Sequence, residues 1–318
     1  MNVTIKFLVA AVIAGTPLLF GTVGEIICEK AGHLNLGVEG IMAIGACTGF
    51  MWGYTYDSFI IALIAAFLGG VAASLVYAVL TVTFMANQNV TGLTLTIFGV
   101  GLSNLIGVYM LRRSPHGTLK LPPQITASIG NIKIAGLSDL PVVGELLFSY
   151  NPFVYIAVVI AIVAGIYLYK TKVGLSLRAV GENPAAADAV GIPVTKVKYF
   201  NIMLGGGICG LGGAYCAMII NGGVWISDNV GGLGWISVAL VIFAAWKPWV
   251  AIGGSFIFGM MRVLKFYVPK SLIAVPAAVY DMLPFIVTAL VLVLTSMRKT
   301  GRLHIPDGLG VNYFREDR

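Results

Sequence analysis

The sequence has little charge. Asp, Glu, Lys and Arg make up 10% of its 318 residues, whereas an ordinary soluble domain contains about 25%. Hydrophobic residues reach 58%, and apolar windows of the roughly 20 residues that a membrane-crossing helix needs recur along the chain. The alternating pattern of barrel strands is absent. This composition excludes a soluble protein and predicts an all-α, polytopic transmembrane helical bundle.

Residues for catalysis and metal binding are also scarce. The three histidines are scattered, the four cysteines form no CxxC pair, and no Ser, His and Asp set is apparent. We therefore predict neither an enzyme nor a metal site, and we interpret the cysteines as small core residues. The residues concerned are His33, His116, His304, Cys28, Cys47, Cys209 and Cys216.

An ATP-binding loop is missing as well. The Walker A pattern GxxxxGK[ST] places a lysine after a glycine, and no lysine in this chain follows a glycine. The protein therefore cannot hold the phosphates of ATP through that motif. Any transport that it performs must use ATP hydrolysis by a partner or an ion gradient.

The charge pattern does not indicate nucleic-acid binding. Net charge is +7, from 20 Lys and Arg against 13 Asp and Glu, but the basic residues are scattered among loops and the tail, without interleaved aromatic residues. We attribute the positive excess to membrane topology and to contact with anionic membrane lipid.

The apolar runs predict nine spans, of which the first is a true span rather than a signal peptide. The most informative run is 58–111, which contains no charged residue. As one helix it would be about 80 Å long, whereas the hydrocarbon core is about 30 Å thick. The chain must therefore turn back, and the polar cluster NQNVTG at 87–92 marks the place. The predicted spans are 5–27, 34–53, 59–84, 89–111, 152–170, 199–221, 231–246, 249–264 and 280–297.

The basic residues predict the orientation. If the polar segment 171–198 faces the cytoplasm, twelve of the 20 Lys and Arg lie on that side, as the positive-inside rule requires. The long segment 112–150, with its LPPQ and DLPVVG turns, then forms an outer loop of short half-helices, and 298–318 forms a cytoplasmic tail. We predict one membrane domain over 1–318. The twelve residues are Lys30, Lys170, Lys172, Arg178, Lys196, Lys198, Lys247, Arg298, Lys299, Arg302, Arg315 and Arg318.

The segment LRAVGENPAAADAVGIPVTKVKYF at 177–200 is polar although apolar runs flank it. Asn183 can cap a helix, Pro184 suits its first position, and Gly191 followed by Pro193 ends it. We predict a two-turn cytoplasmic helix with a face of small residues. Such a helix is too short to be stable alone, and an ordinary solvated connector is the alternative interpretation.

Three stretches resemble one family. GLSLRAVGENPAAADAVGIPVTKVKYFNIMLGGGICGLGGAY, at 174–215, resembles the conserved cytoplasmic loop and following helix of permease subunits of ABC importers for ribose, other simple sugars, nucleosides and branched-chain amino acids. GEIICEKAGHLNLGVEGIMAIGA, at 24–46, resembles the nucleoside and related sugar branch. WISVALVIFAAWKPWVAIGGSFIFGMMRVL, at 235–264, is similar to the last third of the family but has AAWKPW in place of a Gly-rich turn. The matching loop residues are Arg178, Gly181, Asn183, Pro184, Ala187, Gly191, Ile192 and Lys198.

The resemblance implies a function and partners. In the family the short cytoplasmic helix couples the membrane helices to an ATPase subunit, so we expect an ATPase that binds ATP and Mg²⁺ while this chain binds no cofactor. A second permease chain, expected to be a different one, and an extracytoplasmic substrate-binding protein complete the assembly, in the bacterial cytoplasmic (inner) membrane. The residues expected to contact the ATPase are Arg178, Gly181, Glu182, Asn183, Pro184, Ala186, Ala187 and Gly191.

Polar residues inside predicted spans are candidates for the substrate path, because such groups are costly in lipid. Amide and hydroxyl groups suit a neutral solute, such as a nucleoside, a sugar or a riboflavin-like heterocycle, whereas an anionic solute requires buried Lys or Arg, which we do not find in the span interiors. The alternative is that 87–89 is only a cytoplasmic turn and Phe98 faces lipid. The candidates are Asn35, Glu39, Asn87, Gln88, Asn89, Thr94, Phe98 and Asn104, with Thr91 and Thr96 beside them.

Two other classes of protein remain open. An ion-driven secondary carrier would use an intramembrane carboxylate such as Glu25 or Glu39, although the i, i+4 pair Glu25 and Glu29 also suits a membrane interface. A scaffold protein would move nothing. The segment 221–235 is a candidate for binding-protein docking, and the glycines of 205–213 predict close helix packing.

Overall fold

The computed structural model of the chain is nearly all helical. It describes residues 3–114, 117–132, 143–268, 276–297 and 305–315, and within these ranges no strand forms, only one isolated antiparallel bridge between Lys120 and Val224. The all-α prediction is confirmed for these residues. Residues 133–142 of the predicted outer loop, together with His116, His304, Arg298, Lys299, Arg302 and Arg318, lie outside the described ranges.

Thirteen α-helices follow one another in the described part of the chain. They are α1 (Val3–Lys30), α2 (Val38–Tyr56), α3 (Phe59–Ala78), α4 (Gln88–Arg113), α5 (Pro123–Ser128), α6 (Val143–Leu147), α7 (Pro152–Lys170), α8 (Lys172–Glu182), α9 (Pro184–Ala189), α10 (Val194–Tyr215), α11 (Leu233–Phe243), α12 (Pro248–Tyr267) and α13 (Ala277–Met297).

Six helical stretches in the described residues are long and apolar enough to cross a membrane. They correspond to six of the nine predicted spans, so the chain is a multi-pass membrane protein, but the count of nine is not confirmed. The three other segments contain α2, α11 and α13. With 11 residues, α11 is only about 16 Å long, half of what a crossing needs. The six stretches are Val3–Lys30, Phe59–Thr83, Gln88–Arg113, Pro152–Lys170, Val194–Ile220 and Pro248–Tyr267.

The uncharged run turns back near the predicted polar cluster. A π-helical turn, Val79–Thr83, ends α3, and α4 begins at Gln88. Asn87 caps α4, because its Oδ1 accepts a 3.1 Å hydrogen bond from the amide of Val90. Length and one polar cluster therefore predicted this reversal correctly.

Helix α10 lies at the centre of the bundle, against α1, α2 and α3. Its glycines let backbones touch: a Cβ at Gly210 would overlap the carbonyl oxygen of Ala66 and crowd Gly70, and one at Gly45 would overlap Gly210. In lipid, where the hydrophobic effect between helices is absent, such close packing supplies the association energy. The glycine run therefore serves helix contact, as predicted.

The described loops lie at two opposite ends of the bundle. We call one the tail end, because the C-terminal residues 305–315 pack there against the turn that follows α1 and against α8 and α9. The other is the loop end, where Asp57 accepts a hydrogen bond from the Ile125 amide and Lys120 pairs with Val224. The described parts of the predicted outer loop thus lie opposite the 171–198 segment.

Candidate functional site

The short helix predicted after Asn183 is present as α9. Asn183 Oδ1 accepts a 2.9 Å hydrogen bond from the Ala186 amide, and Pro184 occupies the first turn. Gly191 ends the segment with a φ of +86°, a value that a residue with a side chain rarely adopts. The caps therefore follow the sequence signals. The coupling role of α9 stays a prediction, as does the division of the chain into one domain.

The residues expected to contact an ATPase divide into two groups. Glu182, Asn183, Ala186 and Gly191 are exposed at the tail end, and Arg178 and Pro184 are half-buried. Gly181 and Ala187 are buried instead. Ala187 packs with Val180 and Val194 in a small cluster under α9, and the backbone of Gly181 touches that of Lys30. These two residues hold α9 to the bundle, and the exposed surface beside them consists of Ala185, Ala186, Ala189 and Val190.

Residues 305–315, which we call the tail segment, fasten α9 to the bundle. The amide of Gly308 donates a 3.0 Å hydrogen bond to the carbonyl of Gly181. The Tyr313 hydroxyl donates to Asp188 Oδ2 at 2.9 Å, and Arg315 Nε lies 3.0 Å from the same oxygen. The sequence predicted only a cytoplasmic tail here, and these contacts become visible in the structure.

The tail segment also reaches the turn between α1 and α2. The amide of Gly310 donates to the carbonyl of Gly32 at 3.2 Å. Asn312 Nδ2 donates to the Met85 carbonyl at 2.6 Å, and Asn312 Oδ1 accepts from Gln88 Nε2 at 3.1 Å. One short segment thus links α9 to the entry of α2 and to the start of α4.

The turn between α1 and α2 runs back into the bundle, and it uses several predicted path residues. Gln88 Oε1 accepts from the Leu34 amide at 2.8 Å, and Glu25 Oε1 accepts from the Asn35 amide at 3.0 Å. Asn35 Oδ1 in turn accepts from the Gly37 amide at 2.9 Å. The buried Asn35 and Gln88 therefore hold backbone in place.

Glu39 closes over the first turn of α11. Its Oε1 accepts a 2.8 Å hydrogen bond from the Gly232 amide, and its Oε2 accepts one of 2.6 Å from the Gly234 amide. Amides at a helix start have no partner within the helix, and they favour a negative charge. Both carboxylate oxygens of Glu39 are thus engaged with backbone, which fits a structural clamp better than the proton-carrying group of a secondary carrier.

The other predicted path residues lie along α4 and do not converge. The cap residue Asn87 and, on the outer face of α4, Asn89, Thr94 and Phe98 are exposed. Phe98 is 57% accessible, and the Thr94 hydroxyl donates a hydrogen bond to the Val90 carbonyl of the same helix. Asn104 lies closer to the loop end, and its Oδ1 accepts a 2.9 Å hydrogen bond from the Asp228 amide. Asn35 and Gln88 thus meet at the turn between α1 and α2, but the eight candidates together do not line one site.

A cavity of about 410 Å³ lies beside the Glu39 clamp, between α11, α12 and α13. Arg262 of α12 lines it, which corrects the prediction that no span interior holds a cation. Helix α12 is long and apolar enough to cross a membrane although it contains Arg262 and, in its last turn, Lys265. Its lining residues are Gly231, Gly232, Trp235, Ile236, Arg262, Asp281 and Phe285.

These features define the class: a multi-pass helical membrane protein with a small helix and tail at one end and a largely apolar cavity, which Arg262 and Asp281 also line, among its helices. The chain belongs to the family described as branched-chain amino acid transport system / permease component, which matches residues 7–292.

Three curated relatives are similar to most of the chain. The nucleoside ABC transporter permease protein NupC of Lactococcus lactis is 34% identical over 99% of this chain and 99% of its own length. The guanosine ABC transporter permease protein NupQ of Bacillus subtilis is 31% identical over 97% of this chain and 96% of its own length. The putative glucose ABC transporter permease protein TsgC13 of Haloferax volcanii is 36% identical over 83% of this chain and 78% of its own length. Family membership predicted from the sequence is therefore confirmed.

Proposed function

We propose that this chain is the permease subunit of an ATP-driven ABC importer that moves a nucleoside or a related small polar solute across the bacterial cytoplasmic membrane. One observation carries the proposal: two relatives that match nearly end to end are named as nucleoside and guanosine permeases. A simple sugar is the second candidate, because a relative named as a putative glucose permease is 36% identical over a shorter stretch.

ATP hydrolysis takes place in a partner, which binds ATP and Mg²⁺, and this chain binds no cofactor. The exposed small residues of α9 support this assignment, since Ala185, Ala186 and Ala189 let a partner surface approach closely. The tail end, with the C-terminal segment, then faces the cytoplasm.

The loop end faces outward and receives the loaded binding protein. The described residues of the outer loop and the segment 221–232 meet there, where the Trp225 amide donates a 2.9 Å hydrogen bond to the Leu119 carbonyl. A second, unlike permease chain completes the membrane assembly.

The contacts of the tail segment suggest how movement travels. When the ATPase closes, it displaces α9, and the tail segment carries that displacement to the turn between α1 and α2 and to Gln88. Because α2 begins at this turn and carries Glu39 in its first turn, the displacement reaches the start of α11. Access to the interior then alternates between the two sides.

Reconstitution tests the proposal. The complete assembly in liposomes is expected to take up labelled guanosine or uridine with ATP and Mg²⁺, and the permease without ATPase is expected to take up none. Uptake by the permease alone, or uptake that stops when an ion gradient is dissipated while ATP remains, would instead support a secondary carrier.

A further inference from the structure

The cavity beside the Glu39 clamp has the size of a small-molecule site. Its volume is about 410 Å³, and ligand pockets usually measure about 300 to 1,000 Å³. Three separate helices supply its side chains: Trp235 and Ile236 from α11, Arg262 from α12, and Asp281 and Phe285 from α13. None of these residues was among the candidates predicted from the sequence.

The lining combines flat apolar surface with groups that form hydrogen bonds. Trp235 and Phe285 offer aromatic rings, and Arg262 offers guanidinium donors. Asp281 offers acceptor oxygens. Its Oδ1 lies 2.7 Å from Lys265 Nζ, but the Asp281 side chain stays 54% exposed and can accept further hydrogen bonds. Among the described lining residues, the cation Arg262 and the anion Asp281 together favour a neutral ligand that carries both donors and acceptors.

The floor of the cavity is backbone. Gly231 and Gly232 have φ values of +61° and +85°, and a Cβ added at Gly232 would meet no atom within 4 Å, so a side chain there would be strained and would enter open space. Glu39 holds the Gly232 amide. Glu39 is therefore a positioning residue for this cavity, although it does not line it.

We propose that this cavity is a binding site within the membrane domain for a neutral planar heterocycle that bears hydroxyl or amino groups, the nucleoside class of solute. The inference rests on the proposed function and deepens it. Trp235 and Phe285 contact the faces of the ring system, and Arg262 and Asp281 bind its polar edge and hydroxyl groups. A sugar without a base has the hydroxyl groups but lacks a flat aromatic face, so it gains less from the two rings.

The test locates the ligand directly. The probe is 4-thiouridine, crosslinked by light to the purified full-length permease assembly in lipid nanodiscs, with the crosslinked peptides identified by mass spectrometry. We expect crosslinks on peptides that contain Trp235 or Phe285, reduced by excess uridine or uracil and not by ribose. Crosslinks confined to other helices, or competition by ribose as strong as that by uridine, would overturn the proposal.

Point variants distinguish the loss of a stacking contact in the cavity from a general loss of protein stability. Stacking of a base on an aromatic ring changes the binding affinity by roughly a factor of ten or more. We therefore expect Trp235→Ala to weaken uridine binding about tenfold or more. Trp235→Phe, which keeps an aromatic ring, should weaken uridine binding less. The matched control is Trp52→Ala, because Trp52 is exposed and lies near the loop end on α2, outside the cavity lining. Equal binding by Trp235→Ala and Trp52→Ala would contradict the assignment.

Further results distinguish a failure of the cavity assignment from a failure of the proposed transport function. If Trp235→Ala does not assemble, uridine binding is measured instead for Phe285→Leu and Asp281→Asn. Unchanged uridine binding in both variants overturns the inference. If the wild-type assembly in liposomes imports uridine with ATP while these variants bind it normally, the cavity assignment fails and the proposed function stands. If wild type imports no nucleoside, the proposed function itself fails.

Discussion

The Tyr313 hydroxyl donates a 2.9 Å hydrogen bond to Asp188 Oδ2, which joins the C-terminal segment to α9 across 125 residues of sequence. Arg315 contacts the same oxygen from the exterior with a side chain that is 76% exposed, so that ion pair contributes little on its own. The hydrogen bond lies between half-buried groups and is the more valuable of the two contacts. It makes α9 part of a connected end rather than a free loop.

Loss of the hydrogen bond between Tyr313 and Asp188 should weaken the mechanical link between α9 and the turn that joins α1 to α2. We expect Tyr313→Phe to lower stability by about 1 kcal/mol, the usual net value of one hydrogen bond. The number of solute molecules imported per ATP hydrolysed should fall, because α9 moves without carrying the α1–α2 turn. Uptake and hydrolysis measured together in liposomes check this.

The matched control is Tyr56→Phe, which removes a hydroxyl from an exposed tyrosine at the loop end. An equal loss of coupling in Tyr56→Phe, or unchanged coupling in Tyr313→Phe, would show that the tail segment does not transmit movement.

The clamp of Glu39 on α11 gives a second prediction. Glu39→Gln keeps one oxygen acceptor but turns an amide NH₂ toward the second backbone N–H, which leaves a buried donor unpaired. We expect a loss of about 1 to 3 kcal/mol in stability, measured by thermal unfolding in detergent, and reduced uptake. Glu145→Gln is the control, because Glu145 lies on α6, which packs against α1 and, within the described residues, carries no hydrogen bond to the start of α11. Uptake that survives Glu39→Gln but loses its dependence on an ion gradient would favour a carrier.

Close contact between α2 and α10 gives a third prediction. A Cβ at Gly45 would overlap the backbone of Gly210, so Gly45→Ala must separate the two helices and should cost about 1 to 3 kcal/mol. Gly253→Ala is the control, because Gly253 lies within α12 with no atom within 4 Å of a built Cβ. The control should be neutral or gain up to about 1 kcal/mol from helix propensity. Thermal unfolding of both variants compares them, and equal losses would contradict the packing argument.

Local signals allowed a correct prediction of the parts of the fold that depend on a few neighbouring residues. Asn183 and Pro184 start α9 as expected, because a cap acts on amides only two or three residues away. The turn before α4 follows from the length of an uncharged run and from Asn87. Family membership followed from longer stretches whose order is specific.

The sites depend on residues far apart in the chain, and no local pattern brings them together. Glu39 meets Gly234 across 195 residues, and Asn312 meets Met85 across 227. Glu39 was therefore predicted to lie on the substrate path although its oxygens bind backbone. Arg262 was overlooked because one charge hardly changes the mean hydropathy of a long window. Gly231 and Gly232 were predicted to begin a span, and their position beside Glu39 became visible only in the tertiary structure.

The exposed face of α9 gives the last prediction. All four cysteines are buried, so Ala186→Cys supplies the accessible thiol of the protein. A short bifunctional crosslinker at this position should capture the ATPase subunit in native vesicles, because the small side chains there permit close approach. Ala127→Cys is the matched control, since Ala127 is an equally small, exposed residue on α5 near the loop end. Capture of the ATPase by both variants, or by neither, would refute the assignment of α9 as the docking surface.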